Sequence, residues 1–377
     1  MTNMDLYLGG IFVQNSTYDY GDYVYEGDCK PESRGYLEAV LYSLALVVGL
    51  LGNGLLLVVL AQRRRTWSVT DTFILHLGVA DCLLLITLPF WAAEGTQDQG
   101  WSFGTPFCKT AGAIFNINFY CGIFLLAFIS LDRYLSIVHA VQLYSRRKPR
   151  LVHISCLSVW LFSLLLIIPD YIFLEAVKHA RQGQTVCTHN YPRASQSVFD
   201  WRLASRLLYH IVGFLLPSAV LLFCYSCILL RLQRGSQGLQ KQRAVRVILA
   251  LVVVFFLCWT PYNITLMVDT FQSNYKAPEE STDGVCGKTS LETGLMVTSA
   301  LGCFHACLNP LLYLGLCRNF RKRVLEMLRC VRGAQADSRC SLWELGVGEE
   351  ALPNQAHEKV VLNQMTNPEH QVQSSQS

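Results

Sequence analysis

Charge is scarce in this sequence: Asp, Glu, Lys and Arg make up 15% of its 377 residues, against about 25% in a typical soluble domain. That shortage excludes an ordinary soluble protein and, with 52% of residues hydrophobic, indicates a chain that crosses a membrane several times. A nucleic-acid partner is excluded as well, because the formal net charge of +4 is spread over short loops and not gathered on one surface. The first fourteen residues lack a basic segment followed by an apolar core, so no cleavable signal peptide is expected and the first span serves as the anchor. Internal repeats and several charges lining a path, the usual marks of a transporter or channel, are missing too. The intramembrane His and Asp residues have no nucleophile or metal-partner set around them, so no enzymatic activity is expected.

What the sequence does have is seven apolar stretches of the length, roughly 20 residues, that crosses about 30 Å of hydrocarbon. They are 37–61, 71–93, 110–135, 151–174, 204–230, 245–268 and 291–316. Short loops keep their bases on one side: Arg63, Arg64 and Arg65; Arg146, Arg147, Lys148 and Arg150; Arg231, Arg234, Lys241, Arg243 and Arg246; Arg318, Arg321, Lys322 and Arg323. That side is cytoplasmic, which places residues 1–36 outside. The expected fold is an all-α integral membrane protein: an acidic extracellular tail (1–36) and a seven-helix transmembrane bundle (37–316). A short amphipathic helix on the cytoplasmic membrane surface (317–330) and a disordered cytoplasmic tail (331–377) follow. In the surface helix Phe320, Val324, Leu325 and Leu328 share one face and bases the other, the pattern that binds anionic lipid.

Of fifteen cysteines, Cys29, Cys108, Cys187 and Cys286 fall in or at the border of extracellular segments, where disulfides form. Four cysteines allow three pairings, and sequence alone does not choose. Cys330 and Cys340 follow the last basic segment and are candidate S-acylation sites; the rest read as small buried hydrophobes. Asn15, in Asn15-Ser16-Thr17, is the expected glycan site, whereas the match at Asn263 lies inside span six and reads as chance. An ionisable group inside a span marks a functional candidate. Asp81 is one, with Asn53, Asn118, His305 and Asn309 at comparable depth. The group reads either as a hydrogen-bonded knot between helices or as the cage of a hydrated monovalent cation, sodium. No other cofactor is expected. Pro89, Pro169, Pro217, Pro261 and Pro310 each remove a backbone bond within a span and bend it. Asp132 and Arg133 arrive together at the cytoplasmic end of span three.

These features occur within a set of motifs: "LGNGLLLVVL" in span one, "LGVAD" in span two, "DRYLSIVHA" after span three, Trp160 in span four, Pro217 with Tyr225 in span five, "CWTPY" in span six and "NPLLY" in span seven. In this order, across residues 37–330, the chain resembles rhodopsin-class G-protein-coupled receptors. "WSFGTPFCK", "TLPFW", "DRYLSIVHA" and "HACLNP", with the external cysteines, narrow the resemblance to CXC chemokine receptors. It implies disulfides Cys108–Cys187 and Cys29–Cys286. It also implies a tail that captures a basic chemokine through Tyr18, Tyr20, Tyr23 and Tyr25, sulfated, and through Asp19 and Asp22. Acids steer a basic partner over about a Debye length, while tyrosine faces pack on it and stack on Arg. The ligand's flexible start then enters a cavity lined by Trp91, Phe115, Tyr262, Asp269 and Ser299, and Trp101 is a further ligand-binding candidate. Many chemokine receptors carry a glutamate where Ser299 stands, so Glu94, Asp269 and Glu292 are the acids left, with Glu94 and Asp269 the expected anchors. The class also commonly has a serine at Gly122, one turn above Asp81, and its absence weakens the sodium reading.

The resemblance further implies a switch made of Asp132, Arg133, Tyr134, Tyr225, Trp259, Pro261, Asn309, Pro310 and Tyr313. Residues 231–250 contain no acid, so Arg133 has no salt bridge to span six and must be held by Asp132 and hydrogen bonds. Implied partners are a heterotrimeric G protein, receptor kinases and arrestin, the last two acting on Ser338, Ser341, Thr366, Ser374, Ser375 and Ser377. An opsin would need a lysine in span seven, and 291–316 has none; an amine receptor would want an acid in mid-span three, where Phe115 and its neighbours are uncharged. The rival reading is an atypical receptor that internalises chemokine without G-protein output, against which the intact "DRYLSIVHA" argues.

Overall fold

The computed structural model describes residues 33–62, 68–139, 149–178, 183–192, 200–234, 239–275 and 284–328. Long helices cover the apolar stretches: α1 (Ser33–Gln62), α2 (Val69–Thr96), α3 (Gly104–Val138), α4 (Pro149–Leu166), a short α5 (Ile168–Phe173), α6 (Trp201–Leu207), α7 (Leu216–Arg234), α8 (Leu239–Tyr275) and α9 (Gly284–Leu316). α6 runs through a π-helical segment, Leu208–Leu215, into α7, making one apolar helix from Trp201 to Arg234. Among the described residues six helices are long and apolar enough to cross a membrane, and α4 is a shorter apolar helix beside them. α2 starts on a capping box: Ser68 Oγ accepts from the Asp71 N–H, and Asp71 Oδ2 accepts from the Ser68 N–H at 2.7 Å, which satisfies two orphan donors of the first turn.

α3 is the central post, packed on α2, α4, α7 and α8, while α1 packs on α2 and α9. The core is aromatic: Phe119 lies 4.8 Å from Tyr209, 5.0 Å from Trp259 and 5.9 Å from Phe255, ring centre to ring centre. Large side chains such as Leu51, Leu222 and Leu257 face outward. In water that would be costly; in hydrocarbon it is not, and helix association rests on packing. Gly213 in the π-helical segment shows how tight that packing is, since a Cβ there would lie 2.3 Å from a Tyr120 ring carbon. The π turn itself sits just ahead of Pro217: the Leu216 N–H reaches back to Ile211 O, an i→i−5 bond.

The sequence placed one continuous span over 151–174. The helix instead breaks at Ile167, restarts as α5 with Pro169 in its first turn, and passes into strand β1 (Leu174–Lys178). Pro169 supplies no N–H to continue the α4 ladder. β1 pairs antiparallel with β2 (Thr185–His189), Leu174 opposite His189, a hairpin that hydropathy did not reveal. It is tied down beside α3: Trp101 N–H donates to Thr185 O at 2.7 Å and Thr185 N–H to Gln99 O at 2.9 Å. Gly100 bridges Thr185 with φ +69°, and a Cβ there would lie 2.3 Å from Thr185 O; glycine alone fits. After α9, α10 (Arg318–Leu328) turns Phe320 and Val324 inward, Phe320 against Tyr313, and leaves Arg321, Lys322 and Leu325 exposed.

Candidate functional site

At the extracellular end Cys108 and Cys187 form a disulfide, Cα atoms 5.5 Å apart, that fixes the hairpin to α3. Cys29 and the side chain of Cys286 lie outside the described residues, as do Tyr18, Asp19, Tyr20, Asp22, Tyr23, Tyr25, Asn15, Cys330, Cys340 and the side chain of Glu292. Phe115 of α3 stands between Trp259 (5.3 Å) and Tyr262 (5.4 Å) of α8. Trp91 is half-buried with its ring 5.4 Å from Trp101. Trp101, the further ligand-binding candidate, is only 2% exposed, and its indole N–H donates to Gly104 O at 2.9 Å. It backs Trp91 and does not line the cavity. The two expected anchors are engaged within the fold. Glu94 Oε1 accepts the Cys187 N–H at 2.8 Å, and Asp269 Oδ2 pairs with Arg202 Nη2 at 2.9 Å. Ser299 Oγ donates to Met296 O at 2.8 Å.

The sequence reading missed a buried polar group beside this corner. Asp170 of α5 accepts from Asn116 Nδ2 of α3 at 3.2 Å and from the Tyr191 hydroxyl at 3.4 Å, and His189 Nε2 approaches the same Asp170 oxygen at 3.5 Å. Burial, and then the guanidinium groups of Arg206 and Arg202, push His189 down to about 3, so it stands neutral at physiological pH. Burial and the Asp170 charge push Tyr191 up to about 12. An acid in the fourth apolar stretch was the same signal that singled out Asp81, and it marked Asp170 equally.

At mid-depth Asp81 accepts two amide bonds, from Asn118 Nδ2 at 2.9 Å and Asn309 Nδ2 at 2.8 Å. Asn53 is turned to the same seam, its Nδ2 donating to Ala306 O at 2.8 Å. The side-chain oxygens of Asn53, Asn118 and Asn309 are buried with no partner among the described residues. One carboxylate and three amide oxygens suit a hard monovalent cation, so this donor set fits sodium. His305 does not join it: its ring packs edge-on to Phe255 at 5.2 Å. A Cβ on Gly122 would lie 3.0 Å from Phe255 Cε2, so Phe255 also fills the room a serine would need there.

At the cytoplasmic end Arg133 Nη2 hydrogen-bonds Thr70 Oγ1 and lies 3.8 Å from Asp132 Oδ2. Thr70, on α2, is a partner the sequence did not suggest. Ser130 Oγ lies 3.2 Å from the buried Tyr225 hydroxyl, and Tyr134 meets His139 Nε2 at 2.9 Å. Tyr313 is buried against Phe320 of α10. Pro261 and Pro310 lie inside α8 and α9, and the Trp259 ring presses on Gly302 of α9, where a Cβ would be 3.1 Å away.

Residues 52–313 match the family of seven-transmembrane receptors of the rhodopsin type. The chain is 44% identical over 339 residues to a C-X-C chemokine receptor type 3 from Bos taurus, covering 87% of this chain and 88% of that one. It is 44% identical over 325 residues to the type 3 receptor of Homo sapiens, covering 83% and 84%. With C-X-C chemokine receptor type 1 of Oryctolagus cuniculus it shares 40% over 294 residues, 78% and 79% of the two chains. The chain belongs to the rhodopsin family of receptors, in its CXC chemokine receptor branch. As a member it is a multi-pass plasma-membrane receptor, similar over most of its length to receptors of the third CXC subtype. The family match spans Asp81, Arg133, Trp259 and Tyr313 and stops before α10.

Proposed function

We propose that this receptor binds basic CXC chemokines at its extracellular end and activates a heterotrimeric G protein, of the inhibitory type, to drive leukocyte chemotaxis. The observation that carries the coupling half is the state of Arg133, held on its own side of the bundle by Asp132 and Thr70. Such a clasp releases without breaking a salt bridge to α8. Capture proceeds in two steps: the acidic tyrosine tail (1–36) docks on the chemokine, then the ligand's flexible start enters the cavity at Trp91, Phe115, Tyr262 and Ser299. Pressure on Phe115 passes to Trp259 by direct ring contact. Trp259 sits two residues before Pro261, at the bend about which the cytoplasmic part of α8 swings out.

A ligand shifts this equilibrium only by its differential affinity for the two packings. Arg133, Tyr225 and Tyr313 then rearrange around the opened cleft. Asp81, Asn53, Asn118 and Asn309 would hold a sodium ion, whose charge would stabilise the knot that these residues make between α1, α2, α3 and α9. α10 lies on anionic lipid, and the tail beyond it receives kinases and arrestin. No observation favours uptake without G-protein output. The test is Arg133→Ala: G-protein activation is lost while chemokine binding stays measurable, and retained signalling overturns the reading.

A further inference from the structure

The outward face of the α3–α4 seam carries a groove that takes no part in ligand capture or coupling. It is lined by Phe124 and Phe128 of α3 and by Ser158, Leu161, Phe162 and Leu165 of α4, around a volume of about 570 Å³, within the range of small-molecule sites. Phe124 and Phe162 meet ring to ring at 5.3 Å across the seam, while Leu161, Phe162 and Leu165 are exposed on the lipid side. The other side of α4 is already engaged, for the Trp160 indole N–H donates to His76 Nδ1 of α2 at 3.2 Å. α4 starts at Pro149 beside the cytoplasmic bases. At 1.5 Å per residue the groove begins about 14 Å from that end and runs for about 10 Å, wholly within the hydrocarbon layer.

That depth restricts the occupant to a molecule dissolved in the membrane. The one hydroxyl of the lining, Ser158 Oγ, donates to Ser155 O at 2.8 Å, which leaves an aromatic and aliphatic surface. A slot shorter than two helical turns is too short to seat a helix from a second copy. In hydrocarbon no hydrophobic force draws an apolar molecule into a groove, and packing decides. A flexible acyl chain loses rotamer freedom on settling there, whereas a fused ring system loses none and lays a flat face on flat aromatic rings. The plasma membrane, where this receptor resides, is rich in such a molecule, sterol.

We infer that the α3–α4 groove binds one sterol, its fused rings lying on Phe124, Phe128 and Phe162. Its occupancy bears on the receptor core through ring contacts. Phe124 stacks on Tyr120 at 6.3 Å, Tyr120 lies 5.4 Å from Phe119, and Phe119 lies 5.0 Å from Trp259. The binding site depends only on the fold and the membrane; its effect on Trp259 rests on the G-protein reading above.

The test uses the full-length receptor in cell membranes and a photoreactive diazirine analogue of cholesterol, with labelled peptides mapped by mass spectrometry. Labelling should saturate and concentrate in residues 124–128 and 158–165. Unlabelled cholesterol should compete for it, and the mirror-image enantiomer, which packs alike in the bulk bilayer, should not. Phe162→Ala removes one ring face and should raise the half-saturating concentration about tenfold; Ser158→Phe fills the groove and should abolish labelling there. Cell-surface expression at the wild-type level shows that both variants fold. Exchanging membrane cholesterol for its enantiomer should shift the chemokine concentration for half-maximal G-protein dissociation about fivefold in the wild type and leave it unchanged in Ser158→Phe. Labelling spread evenly over lipid-facing residues such as Leu51, Leu222 and Leu257, or equal competition by the enantiomer, overturns the inference, and displacement by phosphatidylcholine but not by cholesterol overturns it in favour of an acyl chain. Specific labelling with unchanged G-protein output upholds the sterol site and refutes its route to Trp259. If no chemokine drives G-protein dissociation, the receptor reading fails and the labelling still decides the site.

Discussion

Thr70→Val isolates the clasp on Arg133. Valine keeps the shape of the buried threonine and removes only the hydroxyl that Arg133 Nη2 contacts. A hydrogen bond to a charged group contributes roughly 1.5–3 kcal/mol. Because the Arg133 side chain is 28% exposed, water replaces part of the loss, and a figure just under that range, about 1.4 kcal/mol, is appropriate. That is about a tenfold change in the equilibrium between held and released arginine. Starting from about one active receptor per hundred, the variant should reach roughly one in ten without ligand. Asp132, at 3.8 Å, remains as the second hold, so the change stops short of full activation. The assay is agonist-free G-protein dissociation in cells, at surface expression matched to wild type. Basal output that does not rise would refute the clasp, because residues 231–250 offer no acid to replace it.

Other outcomes follow from the same structure. Asp81→Asn should abolish the sodium sensitivity of agonist binding, measured as agonist affinity with and without sodium at constant ionic strength; persistent sensitivity sinks the cation site. Changing Tyr18, Tyr20, Tyr23 and Tyr25 together to Phe should weaken chemokine affinity, and equal affinity in a saturation assay removes the tail from the capture step. His189 is held neutral in the fold, down to about 3 from the usual 6.5. Its contribution to stability is therefore full above pH 6.5 and is lost as the pH falls below it, by about 1 kcal/mol at pH 5.5. The detergent-solubilised wild type should lose more thermal stability between pH 7.5 and 5.5 than His189→Phe does; equal losses contradict the assignment.

Hydropathy made the helices legible because each apolar run needs only its own residues to declare it; Pro89, Pro261 and Pro310 lie within α2, α8 and α9, Pro169 in the first turn of α5, and Pro217 just after the π-helical segment. The end of the fourth stretch was not legible, since an apolar run does not distinguish α4 continuing from α5 and a five-residue strand. Asp81 was visible as an acid in an apolar run, and its amide partners as polar residues at the same depth. Depth is not direction, however: His305 lies one turn above Asn309 on α9, and Phe255 rather than Asp81 is its neighbour. The engagements of Glu94 with the Cys187 amide and of Asp269 with Arg202 depend on which loop folds over which helix, so composition gave no hint of them. Arg133 was expected to lean on Asp132 and hydrogen bonds, and the particular bond, to Thr70, required the register of α2 against α3.

Chemokine binding at the extracellular end should open the cytoplasmic end to a G protein. The most direct test is G-protein dissociation in cells expressing the wild-type receptor, run against a panel of CXC chemokines. Concentration-dependent dissociation of an inhibitory-type G protein is expected with at least one of them, lost in Arg133→Ala. Chemokine that binds and is internalised across the panel with no dissociation of any G protein would contradict it.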